Sequence, residues 1–184
     1  MNRTARGRPS RSKSSLSKQR IVSKAMEIAA ADGLDACSFR RLAVELDVTA
    51  MAVSYHVSTR RDLLLAMVDL AFAELNLPSK SDTPKERLRE LLIRYVQFGE
   101  ENTYLVRAAL QYPYLMQAQL LEFTNALRME TQAVNSGDDA DELLNLLVDF
   151  AHGHIFAVAA APKGEGPDLA TYLRSLDWVL DRLD

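Results

Sequence analysis

The sequence predicts an all-α protein. Three observations predict it. Apolar residues recur at helical spacing from Ile21 to Leu183. Caps, Gly and Pro punctuate that pattern at intervals suited to helices. No β-type alternation or internal repeat interrupts it.

Taken in order, residues 1–17 are basic, Ser-rich and nearly without large apolar groups, so a disordered arm is expected. Residues 18–32 form a first helix with Ile21, Val22, Ala25, Ile28 and Ala29 on one face, stopped at Asp32-Gly33. Ser38 caps a short helix whose stripe is Leu42, Ala43 and Leu46. The chain turns at Asp47-Val48, and Thr49 caps a second short helix, Ala50 to Tyr55, with Ala52 and Val53 inward. Thr59-Arg60-Arg61-Asp62 reads as a capping box opening a helix to about Leu75. Two short helices across a tight turn, buttressed by neighbours, make a helix-turn-helix.

Residues 76–82 form a polar break, the expected domain boundary between 18–76 and 83–184. Thr83-Pro84-Lys85-Glu86 combines a cap, Pro at the first helical position and a capping-box Glu, so a helix runs to about Glu101. A helix from Thr103 to Gln111 stops before Pro113. Another is expected from about Tyr114 to Ala133, with Leu120, Leu121, Thr124 and Leu127 inward. Acidic residues 138–142 suit the start of the next helix, which runs to Ala161 and is apolar on much of its circumference. A break at 162–167 precedes the last helix, striped by Leu169, Tyr172, Leu173, Leu176, Val179, Leu180 and Leu183.

At 184 residues with a net charge of −3, the chain can bury a real core. The net charge hides an asymmetry. Residues 1–61 hold 12 Lys/Arg against 5 Asp/Glu, a balance of +7, while residues 62–184 hold 10 against 20, a balance of −10. A basic third on an acidic body is the footprint of a nucleic-acid-binding head. The second short helix agrees: Thr49, Met51, Tyr55 and His56 lie outward, and no acidic residue occurs from Val48 through Arg61. A small helical cluster with no nucleic-acid role is the bland alternative.

Residues 18–75 resemble the N-terminal domain of the tetracycline-repressor (TetR) family of bacterial transcription regulators. The resemblance lies in Ile21 to Gly33, Arg40-Arg41-Leu42-Ala43, Thr49 to Tyr55, Tyr55-His56-Val57 and Arg60-Arg61-Asp62-Leu63-Leu64. The sequence departs from the family at Asp47, where a turn Gly is usual, at Val53-Ser54, where Leu-Tyr is usual, and at Arg60, where Lys is usual. The resemblance implies a DNA-binding helix-turn-helix domain followed by a helical effector-binding and dimerisation domain. It also implies a homodimer, formed through the last two helices, on a palindromic operator in double-stranded DNA. Two recognition helices would then stand one DNA turn apart, about 34 Å.

The expected DNA-contacting residues are Thr49, Ala50, Met51, Ser54, Tyr55 and His56. Arg40 would meet base or phosphate, and Arg60 the backbone at a helix N-terminus. Arg6 and Arg8, in Arg6-Gly7-Arg8-Pro9, have the look of a minor-groove hook. A solvated tail giving nonspecific phosphate attraction explains them equally well, and an architectural A·T-rich DNA-binding protein is the corresponding alternative function.

An apolar, partly aromatic effector would meet Tyr95, Phe98, Tyr104, Tyr112, Met116, Phe123, Phe150 and His154. Plain core packing accounts for aromatics at such spacing too, and a constitutive regulator without ligand is the matching alternative. His152 and His154, two apart on a helix, point nearly opposite ways, so no metal site is expected. Catalytic motifs and cofactor fingerprints are missing, so neither an enzyme nor a cofactor is expected. No run of about 18 apolar residues suggests a membrane span, and the single Cys37 suits a reducing cytoplasm.

Overall fold

The computed structural model describes residues 16–76, 79–137, 140–162 and 164–183, and among them the chain is helical with no strand. The arm carrying Arg6 and Arg8 lies outside the described residues. Helix α1 (Lys18–Asp32) begins where the Ser17 hydroxyl accepts from the Arg20 N–H, and it ends at Gly33, whose φ of 84° a side chain rarely adopts. A single 3-10 turn (Leu34–Ala36) leads to α2 (Phe39–Leu46), capped by Ser38. Asp47 takes the left-handed conformation at φ 53°, which short polar residues tolerate, so the turn forms without glycine.

Helix α3 (Ala50–His56) runs one residue further than expected. It is capped by Thr49, whose hydroxyl accepts from Ala52. Neither α2 nor α3 is long enough to persist alone. Burial of Leu42, Leu46 and Val53 against α1 and one another holds them, each worth about 1.5–3 kcal/mol relative to exposure. Helix α4 (Arg60–Ala73) opens on the expected reciprocal capping box of Thr59 and Asp62. It packs on α1 with one face and on α7 with another.

Helix α5 (Pro84–Glu101), opened by the Thr83–Glu86 capping box, is the axis of the remaining bundle. Helices α6 (Thr103–Gln111), α7 (Ala118–Val134), α8 (Glu142–Ala160) and α9 (Leu169–Leu180) all lie against it. The approach of α8 requires Gly99, because a Cβ there would stand 2.3 Å from Ile155 Cδ1. Arg87 grips both carboxylate oxygens of Glu130 on α7, and Arg89 both those of Asp177 on α9.

Three expectations are corrected. Helix α7 starts at Ala118, not Tyr114: a second 3-10 turn (Pro113–Leu115) intervenes, Gln117 is extended, and Ala118 has φ 47°. Contacts from α4 and the turn after it hold that start, the Asp69 carboxylate accepting from the Gln119 N–H and the Asn76 amide donating to the Gln119 carbonyl. Leu121, expected inward, is consequently exposed. Finally, α8 is long and apolar enough to cross a membrane by length and composition. Here it packs on α5, α6 and α7, and it carries Asp149, His152 and the Glu100-paired His154.

Candidate nucleic-acid interface

Helix α3 turns Val53 wholly inward, which fixes its rotation and leaves Met51 and Tyr55 on the opposite face, 82% and 85% exposed. Two large apolar groups this bare on one short helix mark that face as a candidate contact surface. Ala50 and Thr49 share that exposure, and His56 packs edge-on to the Tyr55 ring at 5.3 Å. Ser54 donates its hydroxyl to the Ala50 carbonyl at 3.0 Å and is half-buried, so it is committed within the helix.

The basic residues divide into free and engaged. Arg40 is exposed and, among the described residues, makes no ion pair or hydrogen bond. Arg41 is engaged, reaching Glu45 at 2.8 Å and Asp32 at 3.3 Å. Arg60, expected at the DNA backbone, turns back instead: its guanidinium donates to the Leu34 carbonyl at 3.1 Å, to Asp35 at 3.0 Å and to the Cys37 carbonyl at 3.5 Å. The Leu34 carbonyl, already accepting from the Cys37 N–H, takes Arg60 as a second donor. In this structure Arg60, about half exposed, ties the start of α4 to the 3-10 turn. Cys37 is buried against the Ala25 carbonyl, and burial pushes its thiol above the usual range.

Sequence reasoning missed Arg61, whose guanidinium lies 4.4 Å from the centre of the Tyr114 ring in the turn between α6 and α7. Nothing in the spacing of two residues so far apart signals that contact.

The residues expected to line one effector cavity fall in separate places. Tyr95, Phe98 and Phe123 gather round Phe72. The Tyr95 hydroxyl shares a 2.7 Å hydrogen bond with His152 Nε2, and burial raises the Tyr95 phenol above its ordinary range. Burial also lowers His152, opposed by the nearby Asp149 carboxylate. Tyr104 sits under α1, its hydroxyl 3.3 Å from Asn102 Oδ1 and 3.5 Å from the Met26 carbonyl. Tyr112 packs on Tyr114, and Met116 is exposed. Phe150 stacks on Tyr172 at 4.9 Å, and His154 meets Glu100 at 2.8 Å with its ring on the other aromatic contact of Tyr172. The buried Tyr172 hydroxyl has no hydrogen-bond partner among the described residues. No group of three or more potential ligands for a metal occurs among the described residues.

No family model matches the chain. A curated protein of Saccharopolyspora erythraea, an HTH-type transcriptional regulator, is 40% identical over 72 residues, which are 39% of this chain and 30% of that protein. The chain therefore spans less than a third of that relative's length. Among solved structures, a TetR transcriptional regulator from Streptomyces coelicolor superposes at TM-score 0.63 with 20% identity, over 92% of this chain and 90% of that one. The chain has the TetR-family fold. Mycobacterium smegmatis BioQ shares it (TM-score 0.62, 20% identity, 90% and 94% covered), as does the multidrug binding protein EbrR, solved with imidazole (TM-score 0.63, 24% identity, 88% of each). Helices α2 and α3 are the two short helices of the helix-turn-helix, and α5–α9 pack together after α4.

Proposed function

We propose that the chain is a TetR-type transcription regulator that binds double-stranded DNA through α3 and acts as a repressor. The observation that carries this reading is the outward face of α3, where Met51 and Tyr55 stand bare on a helix held rigidly by Val53. Apolar side chains so placed suit thymine methyls in a major groove, and Arg40 suits a base edge or phosphate. The 72-residue match, 40% identical, to an HTH-type transcriptional regulator supports it. The head would comprise residues 18–76 and the body residues 83–184, with Arg6 and Arg8 reaching beyond the head's own contacts.

The active form is read as a homodimer on a palindromic operator. Trp178 and Leu146 are 60% and 58% exposed on α9 and α8, flanking a largely apolar groove of about 350 Å³ completed by Phe150 and Val179. A second copy seated there would remove that surface from water. A small organic effector would release the DNA by favouring a different spread of the two heads. Selection of bound sites from random duplexes, with the mass of the complex measured, tests the reading. A palindromic consensus bound by a dimer is expected. Binding to all duplexes alike, or a monomer on DNA, would overturn it.

A further inference from the structure

A cleft of about 420 Å³ opens between the Gly33–Asp35 turn of the head and α6 of the body, lined by Leu34, Asp35, Tyr104, Arg107, Gln111 and Tyr112. Its size suits a molecule of one or two rings. Charge narrows the class. The Asp35 carboxylate is already met by Arg60 at 3.0 Å. Arg107 has no carboxylate partner among the described residues, its guanidinium lying 5.5 Å from the centre of the Phe156 ring. An unneutralised guanidinium offers a planar fork that a carboxylate matches with two parallel hydrogen bonds. Tyr104 and Tyr112 add flat aromatic walls, against which a ring packs by offset or edge contact.

We propose that this cleft binds a planar aromatic carboxylate, with Arg107 holding the carboxylate and the two tyrosines the ring. The proposal rests on the effector-responsive reading above and supplies its ligand class and place. That place is distinct from the aromatic cluster round Phe72. It also has a route to the DNA face: the ligand stands on the turn whose Leu34 carbonyl and Asp35 carboxylate hold Arg60 at the start of α4. Occupancy is felt where the helix-turn-helix is braced.

Calorimetric titration of the DNA-free protein with 1-naphthoate, and with neutral 1-naphthalenemethanol, tests the assignment. Naphthoate is expected to bind at least about tenfold more tightly than the alcohol, and Arg107→Gln to weaken it by about tenfold or more, as loss of a charge-assisted pair implies. Arg107→Lys should retain part of the affinity, and Tyr95→Phe, in the Phe72 cluster, all of it. Thermal melts of each variant check folding. No binding up to millimolar naphthoate, equal binding of the alcohol, or unchanged affinity in Arg107→Gln would overturn the proposal. Retention of a DNA consensus without naphthoate binding refutes the cleft alone, and naphthoate binding without any DNA preference refutes the regulator reading alone.

Discussion

Arg61 lies over Tyr114, guanidinium carbon to ring centre 4.4 Å, so a cation at the start of α4 is held by an aromatic ring from the turn between α6 and α7. The head otherwise meets this part of the body through Asp69 and Asn76 at the start of α7. Tyr112 backs the Tyr114 ring at 5.5 Å, which keeps the platform in place. The contact therefore joins the helix that follows α3 to the turn beside the cleft lined by Tyr104 and Tyr112.

A double-mutant cycle measures that link. Arg61→Ala and Tyr114→Ala, alone and together, should show a coupling of about 0.5–1 kcal/mol in denaturant unfolding, the range for an exposed cation–π pair. Tyr114→Phe should keep it. Additive single effects would leave the pair without energetic meaning.

Met51→Glu should separate binding from folding. The side chain is almost wholly exposed, so stability should move by less than about 0.5 kcal/mol. A carboxylate in its place would oppose phosphate and remove apolar surface from the α3 face, so affinity for a selected duplex should fall by about tenfold or more. Gel-shift titration beside a thermal melt reads both.

Arg60→Ala is expected to act on the fold first. Its hydrogen bonds to two carbonyls and to Asp35 hold the 3-10 turn, but the site is half exposed, so a loss of about 1 kcal/mol is expected. DNA affinity should fall with it for every sequence alike. An unchanged melting temperature would return Arg60 to the role of a plain phosphate contact.

Burial holds the His152 imidazole below its ordinary value of 6.5, against the pull of Asp149. The unfolded chain therefore takes up this proton more readily than the folded one. Its contribution to stability is full above 6.5 and is lost as the pH falls below it. His152→Gln should flatten the stability profile between pH 7 and pH 5 relative to the parent. Parallel profiles would show that the Tyr95–His152 pair bears no such load.

Local signals made most of the fold legible. Thr59 with Asp62, and Thr83 with Pro84 and Glu86, carry their cap chemistry within four residues, and the structure reproduces both. The start of α7 was not legible because Asp69 on α4 and Asn76 in the turn after it, more than 40 residues away, decide it. The same division runs through the site. The exposed face of α3 follows from periodicity around Val53. The placement of Arg60 follows from two carbonyls and a carboxylate 23 to 26 residues away, which no spacing rule announces. The scattered aromatics share helical spacing with a cavity lining, but spacing alone does not say which helix each ring meets.

Gly99 has a mechanical consequence. With no Cβ there, Ile155 rests directly on the α5 backbone, and the two helices interlock like a tooth in a notch. Sliding either along the other would drive the isoleucine into neighbouring side chains, so α5 and α8 form a fixed spine. Gly99→Ala should strain it by about 1–3 kcal/mol, with Ile155→Val restoring part. Relative movement of the helices is thereby left to the lighter elements packed on that spine, α6 among them.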